Sequence, residues 1–261
     1  MDSLPKAVCL ENHLRGCPGA VCLGVRPNFA DYSPPEAEMI RNAEKIYYPS
    51  IFYADMFAAM GKPIFPSIHT YRFAQDKIKQ TALFEILDVP RPGTRVFYGG
   101  KKRDKITRYF DFPFVAKIPR GSAMGRGVYL VRTQQDLDAY CLLTKTAYIQ
   151  EYLPIKEDIR VVVIGDEPVH AYRRIAAAGE FRSNLGCGAQ IRTDGVPKEA
   201  TRLALDTARR CGWNDVGIDI CFYRGRPFVL EANMKYGRTG FAQAGMDYFS
   251  MMEERIRDGR I

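Results

Sequence analysis

The stretch from Gly217 to Gly240, GIDICFYRGRPFVLEANMKYGRTG, holds two short apolar runs, GIDICF and RPFVLEAN, joined at Tyr223-Arg224-Gly225-Arg226. Runs of this length around a tight glycine turn predict a β-hairpin. Both carry polar groups where their pattern predicts burial. Asp219 interrupts Ile218 and Ile220, and Glu231 and Asn233 close the run Phe228-Val229-Leu230. Residues two apart on a strand share a face, so Glu231 and Asn233 project together. Asp219 joins them only if it lies opposite Glu231. An odd-length loop centred on Gly225 is expected to give that register, because a two-residue turn pairs Asp219 with Leu230. Two carboxylates and an amide oxygen are hard donors that leave positions open for water and phosphate oxygens, a set suited to Mg²⁺.

The whole chain has 261 residues, enough for one large domain or two to three small lobes with a buried core. It shows no long apolar run and no signal-peptide pattern, so a soluble cytoplasmic protein is expected. Its seven cysteines are odd in number and scattered, which favours reduced thiols. Cys9, His13, Cys17 and Cys22 lie close together without the spacing of a standard zinc module. His69 and His170 are isolated and read as structural. A formal charge of +8 favours anionic partners such as nucleotides and acidic peptides, and no nucleic-acid module accompanies it. The basic run Lys101-Lys102-Arg103 with Lys105 reads as a solvated turn.

Along the chain, the first thirty residues mix short apolar runs with Gly and Pro and read as strands or coil. Ser33-Pro34-Pro35-Glu36 has the chemistry of a helix start, and a second helix is expected over residues 51–60. A helix from Phe73, FAQDKIKQTALFEIL, places Ile78, Ala82, Leu83 and Ile86 on one side, and periodicity alone makes Lys77 a solvated helix lysine. The strand over residues 112–118 ends at Lys117, which must either snorkel to water or meet a buried anion. A glycine-rich loop follows, with Gly121, Ser122, Gly125 and Gly127, before the strand Val128-Tyr129-Leu130-Val131. Its glycines let backbone N–H groups approach phosphate oxygens. It lacks the Walker lysine-serine pair and no helix follows it, so a strand-loop-strand flap over phosphates is the closer analogy.

Farther on, Tyr148 to Leu153 reads as a strand, and Asp158 to Ile164 turns at Gly165-Asp166 into Val169 to Arg174, with Arg160 and Arg174 flanking one hairpin. Two strand arginines beside an acid-bearing sheet suit an anionic substrate held bidentately. Arg182, Ser183 and Asn184 offer donors to phosphate from a loop expected to be mobile. Residues 197–211 form an amphipathic helix stopped by Gly212.

Taken in order, FVAKIPRGSAMGRGVYLV, QEYLPIKEDIRVVVIGDEPV, GEFRSNLGCGAQ and GIDICFYRGRPFVLEAN resemble the RimK-like branch of the ATP-grasp ligases. The resemblance covers roughly residues 47–240, and four motifs in order are far more specific than any one of them. It implies an α+β fold in which two α+β lobes clamp ATP behind a short preceding domain. It also implies a ligase that phosphorylates a carboxylate with ATP and lets an amine, glutamate or a related amino acid, displace the phosphate.

Carried onto this sequence, Lys117 and Lys77 resemble the nucleotide-contacting lysines. Gln150, Glu151 and Tyr152 resemble the strand whose backbone meets adenine, and Asp158 the nearby acid. Arg182, Ser183 and Asn184 resemble the phosphate-side loop, and Arg160, Arg174 and Arg182 are the expected catalytic arginines. Asp219, Glu231 and Asn233 match the ligands of Mg²⁺, for which Mn²⁺ is a substitute.

The run Met234-Lys235-Tyr236-Gly237-Arg238 departs from the small residues and proline usual there, and Lys235 and Arg238 put positive charge where the acceptor is expected. The N-terminal segment lacks a clear strand-helix unit and looks trimmed, which points to a homo-oligomer. The expected layout is residues 1–75 as the preceding region, 76–147 as the first lobe with its flap, and 148–261 as the second lobe with the metal ligands. The expected partners are a carboxylate acceptor, an acidic peptide or protein tail among the candidates, and an amino-acid amine, with no nucleic acid and no membrane. The alternative is a nucleotide-binding module of the same fold without ligase turnover.

Overall fold

The structure is a computed structural model that describes residues 7–121 and 126–261. In chain order its strands and helices are β1 (Ala7–Cys9), β2 (Ala20–Cys22), α1 (Pro34–Asn42), β3 (Ile46–Tyr47), α2 (Ser50–Ala59), β4 (Ile64–Phe65), α3 (Ile68–Phe73), α4 (Lys77–Ile86), β5 (Thr94–Tyr98), α5 (Lys102–Ile106) and β6 (Phe114–Lys117). They continue with β7 (Val128–Val131), α6 (Gln134–Leu143), β8 (Thr146–Glu151), β9 (Glu157–Ile164), β10 (Glu167–Ile175), β11 (Gln190–Arg192), α7 (Lys198–Cys211), β12 (Asp215–Tyr223), β13 (Arg226–Asn233), α8 (Thr239–Gln243) and α9 (Tyr248–Arg257).

Three sheets result. The first is parallel, in the order β2-β1-β3-β4. The N-terminal segment is therefore not without strand-helix units, as its sequence suggested. Ser33 and Glu36 form a capping box at the start of α1, and α2 crosses from β3 to β4. What obscured the pattern is the brevity of the strands and the β1–β2 connection, whose only helix is a 3₁₀ turn at Asn12–Leu14.

The second sheet is antiparallel, β5-β8-β6-β7. Its alternation is strict. Phe114 and Ala116 on β6, with Ala147 and Ile149 on β8, pack with Leu137 and Tyr140 of α6, so Val115, Lys117, Tyr148 and Gln150 point to the opposite face. β8 is hydrogen-bonded between β5 and β6, so the division expected at 147/148 falls inside a strand of this sheet. The basic run expected as a solvated turn forms the short helix α5, tied down by Lys102 Nζ donating to Thr144 O.

The third sheet, β11-β10-β9-β12-β13, is also antiparallel. β9 is covered on both faces. Val161 and Val163 meet α7 through Ala204 and Ala208, while Val162 and Ile164 meet Tyr47 and Phe65 of the first sheet and Met252 of α9. The parallel sheet is thereby docked on the third sheet, beside the face that carries Asp219.

The expected single helix from Phe73 is two helices. Asp76 caps α4 by accepting from the N–H groups of Ile78 and Lys79, with Gln75 at φ +58° before it. The face of α4 also differs: Gln80, Thr81 and Phe84 are buried and Ile86 is exposed. No helix among the described residues is long and apolar enough to cross a membrane.

Candidate active site

The β12–β13 hairpin turns on two residues, with Tyr223 paired to Arg226 and both Arg224 (φ +49°) and Gly225 (φ +73°) left-handed. From that turn, strict pairing would set Asp219 opposite Leu230. The ladder instead slips after Ile220–Val229, and Asp219 faces Glu231. The expected juxtaposition is present, produced by a β-bulge at Leu230 and not by an odd-length loop. The bulge also explains how Val229 and Ala232, three residues apart, both reach the α7 core while Glu231 and Asn233 face away.

On that face the strands place one charged row. Asp219 pairs in register with Arg160, and Arg160 with Tyr172; two residues along, Asp158 pairs with Arg174. Arg160 forks onto Asp219 through Nε and Nη2, both at 2.7 Å, and Arg174 forks onto Asp158 at 2.6 Å while its Nη2 lies 2.9 Å from Asp219 Oδ2. Asn233 Nδ2 donates to Asp219 Oδ2 at 3.0 Å and to Glu231 Oε1 at 3.2 Å. Lys77 Nζ stands 3.6 Å from Glu231 Oε2. Lys77 is thus a mostly buried partner of an acid and not a solvated helix lysine.

Lys117 comes from the facing sheet and is 7% exposed. Its carbonyl accepts from Tyr140 Oη at 2.7 Å, and its Nζ lies 5.9 Å from the ring of Tyr148, whose hydroxyl meets Thr81 Oγ1 at 2.6 Å. A backbone N–H bond from Lys77 to Pro119 O, with Asp76 gripping Arg120 at 3.0 Å, ties the start of α4 to the stem of the glycine-rich loop. Gly121 and Gly127 have φ near +68° and +69°, while Ser122 and Gly125 lie outside the described residues.

Burial pushes the Lys117 ammonium down, against the attraction of Glu231. For Glu231, burial alone would raise the carboxyl; Lys77, followed by Lys117, pulls it below the usual range. Asp219 is likewise held low against burial by Arg160 and Arg174. Asp158 goes the other way, pushed up to about 6 by burial and the Asp219 charge despite Arg174. Replacing a buried ion network by apolar groups is often neutral or stabilising, so stability does not account for this one. Perturbed groups of both signs in a cleft mark a working site.

The cleft between the second and third sheets holds a cavity of about 110 Å³. It brings together Lys77, Lys117, Gln150, Glu151, Tyr152, Asp158, Arg174, Arg182, Ser183, Asn184, Asp219 and Glu231. Arg160 and Asn233 stand behind Asp219 and bond to it, and Gly121 and Gly127 are not among the cleft-lining residues. Glu151 turns its carboxylate to the N–H of Gly93, and Arg182 forks onto Glu180. The sequence reading missed Val115, Leu153 and Leu230, which give the cleft an apolar side, and Arg126 at its mouth. It also missed Gln80, although Lys77, Gln80, Thr81 and Phe84 follow the i, i+3, i+4, i+7 spacing of one helix face.

The donor set fits a hard divalent cation. Asp219 and Glu231 converge on one amide, and lysines and arginines now compensate their charge. Among the described residues no three His, Cys, Asp or Glu side chains gather as a metal site; Asn233 directs its Nδ2 at both acids, and its amide would have to turn over to offer oxygen as a third donor.

Comparison with known proteins identifies the family and the fold. The model of the RimK-like ATP-grasp domain matches residues 74–256. A protein named "Probable alpha-L-glutamate ligase" from Alkalilimnicola ehrlichii is 33% identical over 219 residues, 78% of this chain and 71% of that protein. The ribosomal protein bS6–L-glutamate ligase of Escherichia coli O81 (strain ED1a) is 31% identical over 187 residues, 69% of this chain and 62% of that protein. Other glutamate ligases match over 50%, 44% and 63% of their own length, so the chain spans less than two thirds of several of its relatives. Among solved structures, the ATP-grasp ligase PsnB with a precursor variant, Mg and ADP superposes with a TM-score of 0.70 at 16% identity, covering 99% of each chain. Two sheets facing each other across a basic cleft are thus the ATP-grasp fold, and the chain belongs to the RimK-like ATP-grasp family.

Proposed function

We propose that this chain is an ATP-dependent carboxylate–amine ligase that uses Mg²⁺ and joins an amino acid, glutamate by analogy with its relatives, to a carboxylate. The observation that carries the reading is the cluster in which Asp219, Glu231 and Asn233 meet Lys77, Arg160 and Arg174 at one cleft that Lys117 also lines. Its cationic excess suits a polyphosphate. Lys117 and Lys77 bind phosphate oxygens, and Val115, Leu153 and Leu230 offer an apolar slot to a purine. Asp219, Glu231 and Asn233 would hold the metal, which when bound supplies charge neutralisation at the transferring phosphoryl group.

A carboxylate oxygen of the acceptor forms a bond to the γ-phosphorus of ATP as the bond to the ADP oxygen breaks. The amine nitrogen then bonds to the acyl carbon, phosphate leaves, and the amine proton passes to solvent. Arg174, buried and aimed into the cleft, stabilises the charge that develops during phosphoryl transfer.

The test is ADP release from Mg-ATP across a panel of carboxylates, each with and without L-glutamate, with Glu231→Ala as the blank. Release stimulated by a carboxylate and raised by glutamate is the expected result. Tight Mg-ATP binding with no release across the panel would overturn the ligase reading and leave a nucleotide-binding module.

A further inference from the structure

Phe181, Arg182, Ser183 and Asn184 follow one another on the loop between β10 and β11, and all four line the nucleotide cleft. Glu180, the residue before them, is not among the cleft-lining residues. Its carboxylate nevertheless holds the start of the loop together. Oε1 accepts from the backbone N–H groups of Phe181 and Arg182, at 2.9 and 3.0 Å, and from Arg182 Nε at 3.0 Å, while Oε2 accepts from Arg182 Nη2 at 2.7 Å. The carboxylate is itself placed by a turn: Glu180 N–H donates to Ala177 O at 3.0 Å, with Gly179 left-handed at φ +78°.

The other arginines of the site are held by the same edge. Arg160 turns Nε and Nη2 to Asp219, and Arg174 turns Nε and Nη2 to Asp158. An acid on that edge fixes the plane of the guanidinium and thereby the direction of its outer edge. For Arg174 the outcome is visible, because Nη2 also meets Asp219 at 2.9 Å, inside the cleft. Arg182 has the same fork, with its guanidinium 5.6 Å from the ring of Phe181. Bonds from the Arg182 side chain hold the Glu180 carboxyl down at about 2 against burial, with the backbone bonds adding to them, so this acid is ionised at any working pH. Both side chains keep 20–30% of their exposure, 28% for Arg182 and 21% for Glu180, and ion pairs this accessible contribute little to stability.

We infer that Glu180 is a positioning residue for phosphoryl transfer: from outside the cleft it clamps the backbone and the guanidinium of Arg182, so that Arg182 meets the transferring phosphoryl group already oriented. An arginine on an unclamped loop would have to give up its side-chain and loop freedom at that moment, and the clamp removes this cost beforehand. The effect belongs to the transition state more than to nucleotide binding, since Lys77 and Lys117 reach the cleft from other elements. The inference rests on the ligase reading.

The test needs no acceptor. The full chain is titrated by calorimetry with Mg-ADP and then, once saturated, with aluminium fluoride, which with ADP mimics the phosphoryl group in transfer. Glu180→Gln keeps the size of the side chain and removes the charge that holds the fork. Its affinity for aluminium fluoride should fall about tenfold or more, with Glu180→Asp in between and the affinity for Mg-ADP unchanged. Arg182→Gln should lose at least as much. The double variant should lose no more than Arg182→Gln alone, because Glu180 acts only through Arg182. Wild-type affinity in Glu180→Gln, a loss that adds in full to that of Arg182→Gln, or a parallel loss of Mg-ADP binding from a merely structural role would overturn the assignment while leaving the ligase reading intact. Wild-type protein that binds Mg-ADP but takes up no aluminium fluoride would sink phosphoryl transfer, and with it both the ligase reading and this inference.

Discussion

Gln80 is hydrogen-bonded to the backbone of Ala232 from both ends of its amide: Nε2 donates to Ala232 O at 2.9 Å, and Oε1 accepts from Ala232 N at 3.2 Å. The same Nε2 also reaches Phe73 O at 3.0 Å. A side chain on α4 therefore substitutes for a neighbouring strand along β13, at the residue between Glu231 and Asn233. Because Lys77 starts the same helix and faces Glu231, α4 sets both the acid and its cation. Gln80→Leu should leave buried backbone groups unpaired and lower stability by roughly 2–4 kcal/mol. In the fraction that folds, the Mg²⁺ concentration for half-maximal ADP release should rise. An unchanged Mg²⁺ requirement would limit Gln80 to a role in stability.

Lys117 stands at the end of an apolar strand with its carbonyl fixed by Tyr140 and its ammonium held down by burial. Lys117→Met keeps most of the volume while removing the charge. Nucleotide affinity, measured by calorimetry with Mg-ATP, should fall about tenfold or more, with little change in unfolding temperature. Affinity equal to that of the wild type would remove Lys117 from the phosphate site.

The hairpin also shows where the sequence was legible. Asp219 meets Glu231 only through the bulge at Leu230, but the two strands and the turn follow from alternation and from an arginine-glycine pair. The bulge does not, because nothing in Phe228-Val229-Leu230 distinguishes a bulged leucine from a paired one; the slip is selected by Val229 and Ala232 both finding the α7 core. Lys117 was readable because strict alternation leaves it opposite Ala116, whereas Lys77 was misread because a helix was carried through Asp76, an N-cap. The short parallel strands of the first sheet, two or three residues each, are too brief for periodicity to register.

Asp219 and Glu231 face each other across the hairpin yet should fail differently when removed. Asp219 is 2% exposed and grips the half-buried Arg160 and the buried Arg174, so Asp219→Ala leaves both arginines short of a partner and should destabilise by about 3–5 kcal/mol. Glu231 has the more accessible side chain and pairs with a lysine at 3.6 Å, so Glu231→Ala should abolish metal-dependent ADP release with a much smaller loss of stability. Urea unfolding of both variants, run beside the ADP assay, separates the two. Equal losses of stability would mean that Glu231 shares the structural duty.

Asp215 gives the fold a pH dependence of unusual sign for an acid. It is 4% exposed, accepts from the hydroxyls of Tyr48 and Tyr236, and its carboxyl is pushed by burial up to about 6 from an ordinary 3.8. The native state therefore binds this proton more tightly than the unfolded chain does. The associated stability is fully present below about 3.8 and is lost as the pH rises through about 6. A shift of this size corresponds to roughly 3 kcal/mol at most. Asp215→Asn cannot ionise, so the stability of the wild type relative to that variant should decline between about pH 4 and 7, the opposite of what a salt-bridged aspartate gives. Urea unfolding of both proteins across that range measures the difference directly. A difference that is flat with pH would mean that Asp215 ionises in the fold as easily as in the unfolded chain, and that the two tyrosine hydroxyls fully offset its burial.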